Sequence, residues 1–290
     1  MLPFWISIAL LSLVQGGLVA LPGSLQDVFP RRLRSRRWAL IPPLSIIVFV
    51  FGAGAAERAS AQGLTYLALV AVPLLAALAL AWLVWNAGPP RLARALCVLA
   101  LFALAWADRG DLPGEGAAVA LSALSTVALG VLLATVTPPR WLAAGIVAMA
   151  VADTTLVVFD LLQRPNNALN AAHPVAGLPQ LQSATFGSAV MGYGDLFIAA
   201  ALGGLLAASY GRRLQLRAAA LTAVFALAFD LLFFAVDELP ATVPVAVALV
   251  VTVLTRRRRF ACGRGTQGAA AQAPVQPHQD PHQPRAPVSS

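Results

Sequence analysis

Nine mostly apolar stretches, each near the length a helix needs to cross a bilayer, follow one another along this chain. They run approximately 3–22, 38–55, 64–86, 93–108, 116–137, 141–163, 185–209, 214–236 and 239–255. Lipid offers no hydrogen-bond partner to a loose backbone, so a spanning segment must be a closed barrel or a helix of roughly 17–25 residues. The pattern predicts an all-α polytopic membrane protein with about nine transmembrane helices. A composition of 59% AVILMFWYC and 11% DEKR leaves too little charge to cover a soluble surface. No basic stretch precedes Phe4, which predicts a retained first helix rather than a cleaved signal peptide. After Thr255 the composition changes to Arg256–Arg259 and then to Gly, Ala, Gln and Pro. Residues 1–255 are therefore read as the membrane domain, and 256–290 as a disordered cytoplasmic tail.

Charge placement predicts an orientation. The basic residues are all arginine and lie between apolar segments, so the net charge of +8 is topology information and not a nucleic-acid footprint. Arg31, Arg32, Arg34, Arg36 and Arg37 follow the first segment, and Arg91 and Arg94 follow the third. Arg140 follows the fifth, Arg212, Arg213 and Arg217 the seventh, and Arg256–Arg259 the ninth. The alternate connections hold only Arg58, Arg109 and Arg164. The positive-inside rule then gives a multi-pass cell-membrane protein with an extracytoplasmic N-terminus and a cytoplasmic C-terminus. An odd number of spans is required, and nine satisfies it.

Other chemistry is sparse. Cys97 and Cys262 predict neither a disulfide framework nor a cysteine metal site. His278 and His282 lie in a Pro-rich tail with no helix to hold them, and His173 falls in an outer loop, so no metal and no cofactor is expected. Phosphate-loop, nucleophile-elbow and zinc signatures are absent from the sequence. Gly203-Gly204 predicts close helix packing, Thr154, Thr155, Ser125 and Thr126 are read as backbone-bonded, and Asp230 as a structural hydrogen-bonding or substrate-access residue.

The informative residues are acids inside apolar segments, where an ionised carboxylate costs at least about 2.5–3.5 kcal/mol and marks function. Asp195 lies in Met191-Gly192-Tyr193-Gly194-Asp195-Leu196-Phe197, and Asp153 in the preceding segment. With helices over 141–163 and 185–209, each acid is ten residues from the outer surface, about 15 Å deep. Asp160 would sit about 4.5 Å deep on nearly the same face as Asp153, and is the backup partner. Two carboxyls a few ångströms apart cannot both ionise cheaply, so such a pair shares a proton and can act as joint acid and base. Gly192 and Gly194 would leave room for a substrate backbone.

These residues carry a resemblance. Gly192-Tyr193-Gly194-Asp195 is similar to the Gly-x-Gly-Asp motif of the presenilin and signal peptide peptidase family of intramembrane aspartyl proteases, and Asp153 stands where that family has its other aspartate. Leu162-Gln163-Arg164-Pro165-Asn166-Asn167-Ala168-Leu169 resembles the short polar break after it, and Leu239-Pro240-Ala241-Thr242 matches part of the family's Pro-Ala-Leu motif. The chain departs from the family at Ala152, where tyrosine is usual, and at Thr242, which replaces leucine. The resemblance implies a presenilin-like nine-helix bundle with Asp153 and Asp195 catalytic and Pro240 and Ala241 positioning substrate. Its substrates would be transmembrane helices such as signal peptides or type II anchors. Prepilin peptidases, another Gly-x-Gly-Asp group, would use Asp160, but keep their acids toward the cytoplasm, opposite to the arginine map. A proton-coupled transporter in which the same acids titrate, or a catalytically silent membrane scaffold, are the alternative readings; the sequence shows no convincing internal repeat of the kind carriers often have.

Overall fold

A computed structural model of the chain describes residues 2–23, 34–55, 57–83, 92–236 and 238–255. Helices dominate it: α1 (Phe4–Ala20), α2 (Ile41–Ala55), α3 (Glu57–Leu78), α4 (Leu92–Ala95), α5 (Cys97–Ala107), α6 (Leu112–Val136) and α7 (Pro139–Val158). Then come α8 (Gln163–Ala171), α9 (Tyr193–Ser209), α10 (Arg212–Asp230) and α11 (Thr242–Thr255). One compact unit spans Met1–Thr252; of the other, Val253–Ser290, the described residues Val253–Thr255 are helical. The expectations for 256–290, with Cys262, His278 and His282, and for Arg31, Arg32 and Arg91 concern residues outside those described.

Every predicted apolar segment contains helix. Four helical stretches, Ala59–Leu83, Leu112–Val136, Pro139–Val158 and Arg212–Phe234, are long and apolar enough to cross a membrane. Exposure points the same way. On α3, Leu67, Val70 and Leu74 are 62%, 63% and 66% exposed while Val72 and Ala76 on the other face are buried. A helix that is apolar all round is at home with lipid on its outer face, whereas water would penalise it.

The expectation of an all-α chain is corrected between α8 and α9. Ser183–Phe186 (β1) and Ala189–Gly192 (β2) pair antiparallel, with Ser183 opposite Gly192 and Thr185 opposite Val190. Gly187 has φ +62°. A left-handed residue at the first central position of a two-residue turn is the type II′ pattern, whose twist suits a hairpin and which glycine adopts without strain. The turn is tied down from two sides: Gly187 N–H donates to the Glu115 carboxylate (2.6 Å) at the start of α6, and Ser188 N–H to Ser7 Oγ (3.3 Å) in α1. The helix predicted over 185–209 thus begins eight residues later, at Tyr193.

The end of α7 is corrected too. The chain leaves the helix at Phe159, not Gln163: Leu161 N–H donates to Leu156 O (2.9 Å) and Asp160 N–H to Val157 O (3.0 Å), with Asp160 at φ +55°. That pair of bonds around a left-handed residue is the Schellman stop. The polar residues that follow form α8 rather than an irregular break, and Asn166 Nδ2 donates to Glu238 Oε1 (3.3 Å).

At the opposite end from the hairpin turn, arginines meet helix C-termini. Arg34 Nε donates to Thr135 O (3.1 Å) in the last turn of α6, and Arg212 reaches Ala20 O at the end of α1. A cation at these carbonyls satisfies unpaired acceptors and complements the helix dipole. Parts of two arginine-rich connections therefore gather at one end of the bundle.

Small residues set the deepest packing. Helices α6 and α9 share the most extensive contact, and a Cβ at Gly130 would fall 2.5 Å from the carbonyl carbon of Ala200. One at Gly204 would fall 2.9 Å from Gly130 O, and one at Gly203 would fall 2.5 Å from Val19 O in α1. The two glycines predicted to pack closely thus face different neighbours. We expect Gly130→Ala to push α6 and α9 apart and destabilise the protein by about 1–3 kcal/mol, read as a lower melting temperature in detergent. An unchanged melt would show that the contact can relax at no cost.

Candidate active site

Asp153 is 6% exposed, on the inward face of α7. A carboxyl there needs a donor, and α11 brings one. Thr242 Oγ1 donates to Asp153 Oδ2 at 2.6 Å, and the Thr242 backbone N–H lies close to the same carboxyl. Pro240, buried, and Ala241 form the turn into α11, with Val243 N–H bonded to Pro240 O (3.1 Å). The turn is fixed from α1, where Gln15 Nε2 donates to Ala241 O (2.7 Å). Pro240 and Ala241 thus lie next to Asp153 through their neighbour Thr242.

Asp195 occupies the third position of α9. Its Oδ2 accepts the Gly192 N–H at 3.2 Å, half of a capping box, since the glycine N-cap has no side chain to return the bond. Gly192 has a local reason to be glycine: a Cβ there would lie 3.0 Å from Asp195 Oδ2. At Gly194 a Cβ would make ordinary contact, 3.7 Å from Met149 Cε, one turn before Asp153 on α7. Tyr193 shares a hydrogen bond with Ser125 (2.7 Å), which pins the first turn of α9 to α6. Asp195 is densely surrounded by protein yet keeps some accessible surface.

The two acids act on each other. Helix α7 packs on α9, and the Asp153 and Asp195 carboxyls are close enough to interact electrostatically. The equal depths of about 15 Å expected from the sequence are corrected by the ends of the two elements. With α7 ending at Val158, Asp153 lies about 8 Å from its helix end. Asp195 is set back from the hairpin turn by β2, whose four residues extend about 13 Å. The two acids are brought near each other by the packing of α7 on α9 and not by the helix lengths from which the pairing was expected. A third carboxyl, Glu238, also interacts with Asp153. Neither it nor Thr242 was singled out as a site residue from the sequence; the signal for Thr242 was its departure from a leucine position beside an intramembrane acid.

Asp160 is not brought into this cluster. It is exposed and supplies the left-handed residue that ends α7. Asp230 accepts the Ser12 hydroxyl at 2.7 Å, the structural role expected of it. Thr154 and Thr155 donate to Ala150 O and Val151 O, Thr126 to Ala123 O and Ser125 to Ser122 O, all backbone bonds. His173 is exposed with Gln180 beside it at 2.7 Å.

Comparison with family models, with curated proteins and with solved structures finds no match to this chain in any of the three. The site geometry therefore carries the functional argument.

Because Asp160 works through its backbone, Asp160→Gly should hold or raise the melting temperature. Asp160→Val should cost on the order of 1–2 kcal/mol, since a β-branched residue resists the left-handed region. Equal melts for the two variants would contradict this assignment.

Proposed function

We propose that this chain is an intramembrane aspartyl protease of the Gly-x-Gly-Asp type, with Asp153 and Asp195 as its catalytic pair in a bundle of nine membrane-spanning helices. What supports the reading is the packing of α7 on α9, which sets Asp153 and Asp195 on neighbouring helices within electrostatic range of each other. Sharing one proton, the pair hydrolyses a peptide bond without another group. The ionised carboxylate takes a proton from water as the water oxygen attacks the scissile carbonyl carbon. The protonated partner gives its proton to the carbonyl oxygen. Collapse of the tetrahedral species breaks the C–N bond, and a proton passes to the leaving nitrogen. Water has a short way to travel, because α7 ends about 8 Å from Asp153.

The hairpin supports the same reading. A substrate helix must unwind before cleavage, which leaves its backbone groups unpaired in lipid. Strand β2 runs directly into the turn that bears Asp195, and pairing along it would offset the lost helix bonds. The arginine placement gives the orientation of signal peptide peptidases, and that resemblance implies substrates with a cytoplasmic N-terminus, as in signal peptides and type II anchors.

Replacing either Asp153 or Asp195 with Asn should leave the protein folded and membrane-inserted while abolishing cleavage of a type II model substrate, because Asn keeps the volume but cannot ionise. Full cleavage by both variants would end the mechanism. Reporter fusions in the connection at Arg31–Arg37 and after Arg259 should both report from the cytoplasm. A reporter found outside the cell at either site would overturn the orientation and the substrate preference with it.

A further inference from the structure

The hydroxyl of Thr242 is bonded differently from those of five other threonines. Thr65, Thr135, Thr154 and Thr155 each donate to the carbonyl four residues earlier in their own helix, and Thr126 to the one three residues earlier. That is the ordinary solution for a hydroxyl in an apolar helix. Thr242 is the first residue of α11, so no turn of its own helix precedes it. Its hydroxyl is fully buried and donates across to Asp153 Oδ2 at 2.6 Å instead. Its backbone N–H, unpaired within α11 because it belongs to the first turn, lies close to the same carboxyl.

We propose that Thr242 is the positioning residue of the acid pair, its hydroxyl at the N-terminus of α11 holding the Asp153 carboxyl in one orientation toward Asp195. The inference rests on the proteolytic reading of that pair and adds a residue to it. Without the hydroxyl, Asp153 would lose the hydrogen bond that holds its carboxyl and be free to rotate about its side-chain bonds. Misplacing a reacting group costs rate even where substrate binding is untouched. Gln15 makes the arrangement stiffer, since its bond to Ala241 O fixes the peptide that precedes Thr242. The position of one catalytic acid is thus set by α1 and α11 together.

Thr242→Val removes the donor and keeps the shape; Thr242→Ser keeps the donor and removes a methyl. The full-length protein in detergent is given a purified Leu/Ala transmembrane helix with polar flanks as substrate, and kcat and KM are measured separately. Thr242→Val should lose roughly tenfold in kcat, the scale of one hydrogen bond to a charged group, with KM unchanged within about twofold. Thr242→Ser should restore kcat to within about twofold of the unsubstituted protein. Infrared difference spectra should show the Asp153 carboxyl bands, assigned by their loss in Asp153→Asn, displaced in the Val variant and unmoved in the Ser variant. If Val at 242 prevents folding, Thr242→Ala removes the same donor and is read in the same way. An unchanged kcat in the donor-free variant, a loss confined to KM, or a Ser variant as slow as the Val one overturns the proposal. If the unsubstituted protein cleaves nothing, the proteolytic reading fails by itself, and the infrared comparison decides whether Thr242 holds Asp153: displaced bands support it, unmoved bands overturn it.

Discussion

The contact between α6 and α9 is the constraint on which the site depends. Asp195 sits in the first turn of α9, so its place is decided by how far that helix is drawn into the bundle. Gly130, Ala200 and Gly204 let the two backbones touch directly, while Gly203 lets α1 approach α9 on another side. Van der Waals packing of small residues is the main force available between helices in lipid, where the solvent is as apolar as the side chains. The Tyr193–Ser125 hydrogen bond then fixes the rotation of the first turn against α6. With α9 seated so, its third residue meets the inward face of α7.

Around that seat the polar groups form a small connected set. Asp153 takes its donor from α11, α11 begins at a turn held by Gln15 of α1, and α1 also bonds Asp230 of α10 through Ser12. Each bond joins helices distant in sequence. A buried carboxyl left without its donors would cost more than a mismatch in packing. These bonds therefore tie the bundle together and, through Thr242 and Gln15, fix the surroundings of Asp153. Substitutions at Ser12 or Gln15 would be felt at the acids without touching them.

Much of this was legible in the sequence, for identifiable reasons. The apolar segments are long, and hydrophobic length is the strongest signal a chain carries, so all of them contain helix. Asp153 and Asp195 stood out because acids are rare in such segments. The hairpin was missed because Ser183–Gly192 carries no charge and runs without a polar break into the apolar helix that follows. Gly187-Ser188 between Thr185-Phe186 and Ala189-Val190 was nevertheless a two-residue turn signal. The early end of α7 was missed because an aspartate in the left-handed region leaves no mark on hydropathy. Thr242 was noticed only as a departure from a motif, since its partner lies 89 residues away in the chain. Local pattern reports elements well and says little about which distant side chains will meet.

The central claim is that Asp153 and Asp195 behave as one unit rather than as two separate buried acids. Infrared titration of the protein with isotope-labelled aspartate, compared with the Asp153→Asn and Asp195→Asn variants, tests it most directly. Coupled groups titrate as a pair, and linkage makes the effect reciprocal. The account predicts that removing either carboxyl changes the titration of the other by the same amount. Two acids that each titrate identically with and without the other would contradict it.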